Sequence, residues 1–376
     1  MTQQRTYLDY NASAPLRPAA RTAMLAAHDA FGNPSSVHTE GRRVRAIIET
    51  AREQVAALTG AKPSEIVFTS GATEANNCVV AAGWKTICVS AIEHESVLAP
   101  ARACGAKIIA LPAASDGRVD LQAVKGALAE ASSSGRTLLS VMLANNETGV
   151  IQPVEEAAEL ARELNISLHV DAVQGPGRVP LNFAALGADT LTISAHKLGG
   201  SRGVGALLIR DGISLPALIQ GGGQERRRRG GTENVAGIAG FGAAAAEVAK
   251  EMAAEAARIT ALRETLEAGV MAATPDAVII GGGAPRIGNT SCIAVPGKPS
   301  ETLVIRMDLD GVAISSGAAC SSGKIGANTV LAAMGLGSDV TASAVRVSLG
   351  YATTADDIAA FLAAWQKAAG GTALAA

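Results

Sequence analysis

Residues 190–197, Thr190-Leu191-Thr192-Ile193-Ser194-Ala195-His196-Lys197, decide how the rest of the chain is read. The first four are β-branched or apolar and make a short buried strand. A lysine follows within one turn, and Gly199, Gly200, Gly203 and Gly205 come directly after it. A lysine held at the carboxyl edge of a buried strand loses hydration. That lowers the pKa of its ammonium and makes a Schiff-base amine available. The tetrapeptide alone reads equally as an ordinary loop lysine, so its neighbours must discriminate. Upstream, Ser167-Leu168-His169-Val170 forms a second short strand, and Asp171 and Gln174 follow it. A strand-end aspartate commonly caps a turn. It is also the carboxylate that a pyridine-type ring needs on its nitrogen to act as an electron sink, with Gln174 as a neutral donor for a ring oxygen.

The same strand-then-helix rhythm extends in both directions. Short apolar runs at Glu65–Thr69, Thr86–Ser90, Lys107–Leu111, Leu138–Leu143 and Gly205–Ile209 alternate with stretches of helical spacing such as Arg42–Leu58. This predicts an α/β architecture with a mostly parallel sheet covered on both faces, and ligands at the carboxyl ends of its strands. From Asn234 to Met271 the pattern becomes one long alanine-rich helix. Shorter strands follow at Ala277–Ile280, Cys292–Val295, Ala313–Ser315 and Ala344–Ser348, with helices near Glu301–Leu309 and after Thr353-Thr354. The expected division is a large domain, 16–252, and a smaller α+β domain formed by 1–15 and 253–376.

Composition narrows the class. The 376 residues are 48% hydrophobic but only 3% aromatic, so aliphatic side chains must fill a sizeable core. A net charge of -2 gives no general attraction to nucleic acid or an anionic membrane. The opening residues lack the basic-then-apolar order of a secretory signal, and no apolar run approaches a membrane span of roughly 20 residues. The five cysteines are odd in number and without a CxxC pair, which argues against a disulfide framework or zinc site and for a reducing, cytoplasmic setting.

Other segments carry chemistry-bearing side chains. Ser70-Gly71-Ala72-Thr73-Glu74-Ala75-Asn76 follows a strand and opens a helix, which makes it either a plain cap or a phosphate cradle. His94, between Glu93 and Glu95, is placed to stack on a ring or shuttle a proton, or is a surface residue. Asn145-Asn146-Glu147-Thr148-Gly149 ends another strand. Cys320 sits in Ser315-Ser316-Gly317-Ala318-Ala319-Cys320-Ser321-Ser322-Gly323-Lys324, where small neighbours leave a thiol accessible and a lysine favours its thiolate. Cys78, Cys88, Cys104 and Cys292 lie in apolar surroundings and read as buried. The run Arg226–Arg229, flanked by glycines, is a solvated basic loop or an anion-embracing one. Arg346 on a late strand is a carboxylate-clamp candidate.

In order, these segments resemble the cysteine desulfurases of the NifS/IscS type, within the class V aminotransferase superfamily of fold type I pyridoxal-phosphate enzymes. The resemblance runs from Tyr7-Leu8-Asp9-Tyr10-Asn11-Ala12 through SGATEAN, EHESVL, NNETGVIQP, HVDAVQ, SAHK, GGGQER, GTEN and SSGAACSSG to Val345-Arg346-Val347-Ser348-Leu349-Gly350. It implies a pyridoxal-phosphate transferase fold with a seven-stranded sheet in the large domain. It implies Lys197 as the residue that carries pyridoxal 5'-phosphate and moves protons, Asp171 on the ring nitrogen, Gln174 at the phenolic oxygen and His94 on the ring face. Ala72, Thr73, Ser194 and His196 would hold the phosphate, with Thr232 reaching in from the second subunit of a homodimer. Asn146 and Arg346 would hold L-cysteine, and Cys320 would take its sulfur and pass it to an acceptor or scaffold protein, as in iron–sulfur assembly. The spacing from Cys320 to Val330-Leu331 resembles the group whose cysteine lies on a long loop; the arginine-x-glycine-histidine-histidine-cysteine signature of the other group is absent. Selenocysteine lyase, or an aminotransferase or β-lyase on the same scaffold, is the alternative. Departures from the family pattern are Arg227 and Arg228 in the GGGQER–GTEN loop, Gly199 where many relatives carry tyrosine, and Asn328 where serine is common.

Overall fold

The computed structural model describes residues 5–317 and 328–369. Its strands are β1 (Thr6–Tyr7), β2 (Ile66–Thr69), β3 (Thr86–Ser90), β4 (Lys107–Leu111), β5 (Thr137–Ser140), β6 (Ser167–Asp171), β7 (Thr190–Ser194), β8 (Gly205–Ile209), β9 (Val278–Ile280), β10 (Thr290–Ala294), β11 (Val312–Ala313), β12 (Ser315–Ser316) and β13 (Ala344–Ser348). Seven of them form the main sheet in the order β2-β8-β7-β6-β5-β3-β4. The pairs from β7 to β4 are parallel, and β8 runs antiparallel to both its neighbours. The expectation of a seven-stranded, mostly parallel α/β sheet therefore holds.

Every residue of β2, β3, β5, β7 and β8 is buried, which is why these strands read as unbroken apolar runs. Alternation sorts their side chains between two faces. Ile66, Phe68, Cys88, Ala206 and Leu208 enter one core, while Val67, Ile87, Val89, Leu207 and Ile209 enter the other. Helix Thr39–Thr59 and the first half of helix Val235–Ala273 cover the first face; helices Ala72–Val80 and Glu95–Ala103 cover the second. The apolar run ending at Leu143 is regular strand only to Ser140, but Val141 N and Leu143 N still donate to the His169 and Asp171 carbonyls of β6 before the Asn145–Gly149 loop.

A second core gathers around Leu8, Ile259, Leu266, Met307, Phe361 and Trp365. It backs an antiparallel sheet in the order β12-β13-β10-β9. The N-terminal residues join it because β1 pairs in parallel with β11. The run expected as one strand at Ala313–Ser315 is thus two strands in two sheets, β11 and β12. Helix Val235–Ala273 is 39 residues long, starts where the Asn234 side chain accepts from Gly237 N (3.1 Å), and contributes to both cores. The last helix, Ala355–Ala369, opens on a reciprocal cap: Asp357 Oδ2 accepts from Thr354 N (2.9 Å), and Thr354 Oγ1 accepts from Asp357 N (3.3 Å).

Cysteine burial follows the sequence reading with one correction. Cys78, Cys88 and Cys292 are buried, but Cys104 is exposed, because it caps the C-terminus of helix Glu95–Ala103 instead of facing the core. Burial lifts the Cys292 thiol to about 12 and that of Cys88 to about 11, so neither is a thiolate near neutrality.

Candidate active site

Five segments that follow strands of the main sheet end on one cavity of about 510 Å³. After β2 the chain enters helix Ala72–Val80 through Gly71, which offers no side-chain cap, so the first-turn N–H groups of this helix face the cavity without one. The start of β8 lies hard against this turn. A Cβ on Gly205 would sit 2.7 Å from the Gly71 carbonyl carbon and 2.9 Å from Ala72 N, so only glycine permits the approach. After β3, His94 caps helix Glu95–Ala103, its Nδ1 accepting from Ser96 N at 3.1 Å. β6 delivers Asp171 and β7 delivers Ser194, His196 and Lys197, the last two on a short 3-10 turn. The loop after β5 brings Asn146, and Arg346 arrives on β13.

Asp171 accepts at both oxygens: Val173 N donates to Oδ1 (3.0 Å), and Asn76 Nδ2 donates to Oδ2 (2.8 Å). Gln174 Nε2 donates to the carbonyl of Asn11 (3.2 Å), while Arg178 donates to Gln174 Oε1. Lys197 Nζ donates to the same Asn11 carbonyl and to that of Ala12 (3.0 Å). Burial, reinforced by the charges of Lys197, Arg202 and Arg178, pushes His196 down to about 4, so its ring is neutral at physiological pH. Arg346 is 2% exposed; it donates to Asp9 Oδ1 (2.8 Å) and to the Asn146 carbonyl (3.1 Å), and among the described residues its Nε has no acceptor. Of its five N–H bonds two are engaged by these contacts, leaving donors for an incoming carboxylate.

Two buried glutamates border the site. Glu93 is 3% exposed; burial and the nearby Asp171 raise its pKa well above the usual range, against the pull of a hydrogen bond from the Met142 backbone. Glu147 accepts from Asn328 Nδ2 (2.5 Å), and burial pushes it up to about 7 against the pull of Asn328, Arg346 and His94. Its Oε2 would also lie 2.9 Å from a Cβ on Gly317.

Of the residues singled out in the sequence, Ala72, Thr73, His94, Asn146, Asp171, Gln174, Ser194, His196, Lys197 and Arg346 all line this cavity. Thr232 does not: it is exposed on the loop before helix Val235–Ala273. Cys320 and Lys324 lie outside the described residues. The arginine run is mostly engaged within the chain. Arg226 donates to Pro63 O (2.9 Å), Arg228 to Ser64 O (3.2 Å), and Arg229 pairs with Glu74 (3.0 Å). Reasoning from sequence passed over Asn11, Asn76 and Arg202. Asn11 and Asn76 sit inside motifs quoted above, but nothing local distinguishes a side chain that reaches a distant element. Among the described residues no group of three or more His, Cys, Asp or Glu side chains forms a metal site, and no helix is long and apolar enough to cross a membrane.

A strand-end lysine, a strand-end aspartate and a helix N-terminus meet in one cavity, and the class V aminotransferase family model matches residues 6–361. Cysteine desulfurase IscS of Dictyoglomus turgidum is 40% identical over 95% of this chain and 92% of its own length. An IscS-like cysteine desulfurase of Mycobacterium tuberculosis is 37% identical over 95% and 94%. A NifS-like protein from Rickettsia africae superposes with a TM-score of 0.90 at 35% identity, covering 97% of this chain and 99% of the other. The chain belongs to the cysteine desulfurase family of NifS/IscS type.

The cofactor of that family is pyridoxal phosphate, and the residues present fit it. The uncapped helix N-terminus is an anion cradle, with Ser194, neutral His196 and Arg202 beside it. Asp171 accepts at both oxygens, as a carboxylate partner for a protonated ring nitrogen must, and Lys197 stands in the same wall.

Proposed function

We propose that this chain is a cysteine desulfurase that converts L-cysteine to L-alanine and leaves the sulfur as a persulfide on Cys320. The observation that carries the reading is the convergence of Lys197, Asp171, His94 and the Ala72–Thr73 turn on one cavity that Arg346 also reaches. Pyridoxal phosphate, when bound, supplies an electron sink for the pair released as the substrate loses its α-proton. The chain's own groups do the rest. The Ala72–Thr73 turn, Ser194 and His196 would hold the phosphate, Asp171 would hold the ring-nitrogen proton, Gln174 would serve the phenolic oxygen, and His94 would stack on the ring. Arg346 and Asn146 hold the substrate carboxylate, and Lys197 Nζ takes and returns the proton. The Cys320 thiolate attacks the substrate sulfur: an S–S bond forms, the substrate C–S bond breaks, and the electron pair stays with the carbon skeleton that is then protonated to alanine.

The same reading makes the protein a homodimer in which Thr232 of each copy reaches the other's cavity, supported by the exposure of Thr232. It includes delivery of sulfur to an acceptor or scaffold protein, as in iron–sulfur assembly, and a cytoplasmic setting. The division into 16–252 and 1–15 with 253–376 is supported by the second core, whose residues all fall in the latter set. Cys320→Ser is the decisive test. The variant should keep bound cofactor and its visible absorbance yet form no alanine or persulfide from L-cysteine; retained turnover would remove Cys320 from the mechanism.

A further inference from the structure

We propose that Asn76 is a positioning residue, a single buried amide that fixes both Asp171 and His94 from behind the cavity. It stands on helix Ala72–Val80, one turn beyond the end that faces the cavity, and is fully buried. Both hydrogens of its Nδ2 are used, one on Asp171 Oδ2 and one on Ser96 Oγ, each at 2.8 Å. Its Oδ1 meets His169 Nε2 at 3.1 Å, and His169 Nδ1 meets Thr190 Oγ1 at 2.9 Å.

The direction of every bond follows from the first. Asp171 accepts, so the amide NH2 must turn toward it and Oδ1 must turn toward His169. His169 Nε2 therefore carries the ring proton, and Nδ1 accepts from the Thr190 hydroxyl. The ring has only that one proton, because complete burial drops its pKa to about 4. Along the other arm, Ser96 Oγ accepts from Asn76, so its own hydrogen goes to His94 Nδ1 at 2.8 Å, where Ser96 N also donates. His94 Nδ1 is thereby an acceptor, which leaves Nε2 to carry the ring proton. One amide thus sets the acceptor state of the group under the ring nitrogen and the tautomer of the group at the ring face. Asn77 braces the junction by donating from Nδ2 to Ser96 O at 3.1 Å.

This rests on the pyridoxal-phosphate reading of the cavity. The test is cofactor binding by apoprotein, followed by the visible absorbance of the loaded form across pH, for the wild type, Asn76→Ala, Asn76→Asp and Val79→Ala. Val79 is a fully buried neighbour on the same helix, outside the network, and controls for general destabilisation. Asn76→Ala removes a hydrogen bond to a charged group and should weaken pyridoxal-phosphate affinity roughly 10- to 100-fold and move the pH midpoint of the absorbance. Asn76→Asp keeps the shape but sets two carboxyls in contact. Relative to wild type it should bind weakly at high pH and regain affinity as a shared proton is taken up. Val79→Ala should leave affinity and midpoint within about threefold of wild type. If Asn76→Ala and Asn76→Asp both bind like wild type with unmoved midpoints, or if Val79→Ala matches their losses, Asn76 is only structural and the proposal falls. Wild-type protein that binds no pyridoxal phosphate overturns the cavity reading itself, a separate result.

Discussion

Replacing Glu147 by glutamine should make the protein more stable in alkaline than in acidic solution relative to wild type. The carboxyl is 7% exposed, and burial raises its pKa from about 4.5 to about 7. A raised folded-state pKa means that the native protein binds this proton more tightly than the unfolded chain does. Its favourable contribution is complete below about 4.5, is lost as pH rises through 7, and stays lost above. The full span is about 2.5 units, or about 3 kcal/mol, of which about 2.5 falls between pH 5 and pH 8. Glutamine has no such titration, and its Oε1 can still accept from Asn328 Nδ2. The difference in melting temperature, variant minus wild type, should therefore grow by about 3 °C from pH 5 to pH 8 in a chain of this size. All other ionisable groups are common to both proteins and cancel in that difference. Matched thermal scans of the cofactor-loaded proteins at several pH values provide the measurement. A difference that is flat with pH, or that shrinks toward pH 8, would show that Glu147 is ionised throughout and that burial does not dominate its environment.

Glu225→Ala should cost about 3–5 kcal/mol of stability, read in denaturant midpoints, because it strands Arg52 without its two-point partner (2.8 and 2.9 Å) and leaves Phe68 N without its acceptor. Gly205→Ala should weaken pyridoxal-phosphate binding at least 10-fold in apoprotein titrations while leaving most of the fold intact, since its Cβ displaces the turn that cradles the phosphate. Lys197→Ala should lower alanine formation from L-cysteine by roughly 1000-fold or more and let the cofactor leave on gel filtration, as both the proton carrier and the covalent anchor are gone.

What the sequence discloses is what packing makes periodic. The strands buried on both faces announce themselves, and because ligands gather at the carboxyl ends of parallel strands, Asp171 and Lys197 stand out as a pair where neither does alone. β1 does not: two residues have no period, and its partner β11 lies some 300 positions away. Asn76 and His169 look like ordinary members of a helix and a strand, since their significance lies in bonds to residues about 20 to 95 positions distant. The arginine run left two readings open. Its charge suggested an anion site, but the acceptors it meets are the Pro63 and Ser64 carbonyls and Glu74, which composition does not reveal. Cys104 looked buried by its neighbours, yet helical phase turns it outward at the last position.

The helix Val235–Ala273 has a further consequence, for how this family can tolerate insertions. Of its early residues, Ile238, Phe241, Ala244, Ala245 and Val248 are embedded in the first core, and Ile259, Leu266 and Val270 in the second. Between them the backbone is continuous α-helix, so the two cores are phased to each other like two gears keyed to one shaft. One residue added between 249 and 258 would turn the second core by about 100° and advance it by about 1.5 Å. Seven residues would nearly restore the angle but separate the cores by about 10 Å. Surface loops elsewhere can lengthen at small entropic cost, whereas the length of this one segment is fixed as strictly as any catalytic residue.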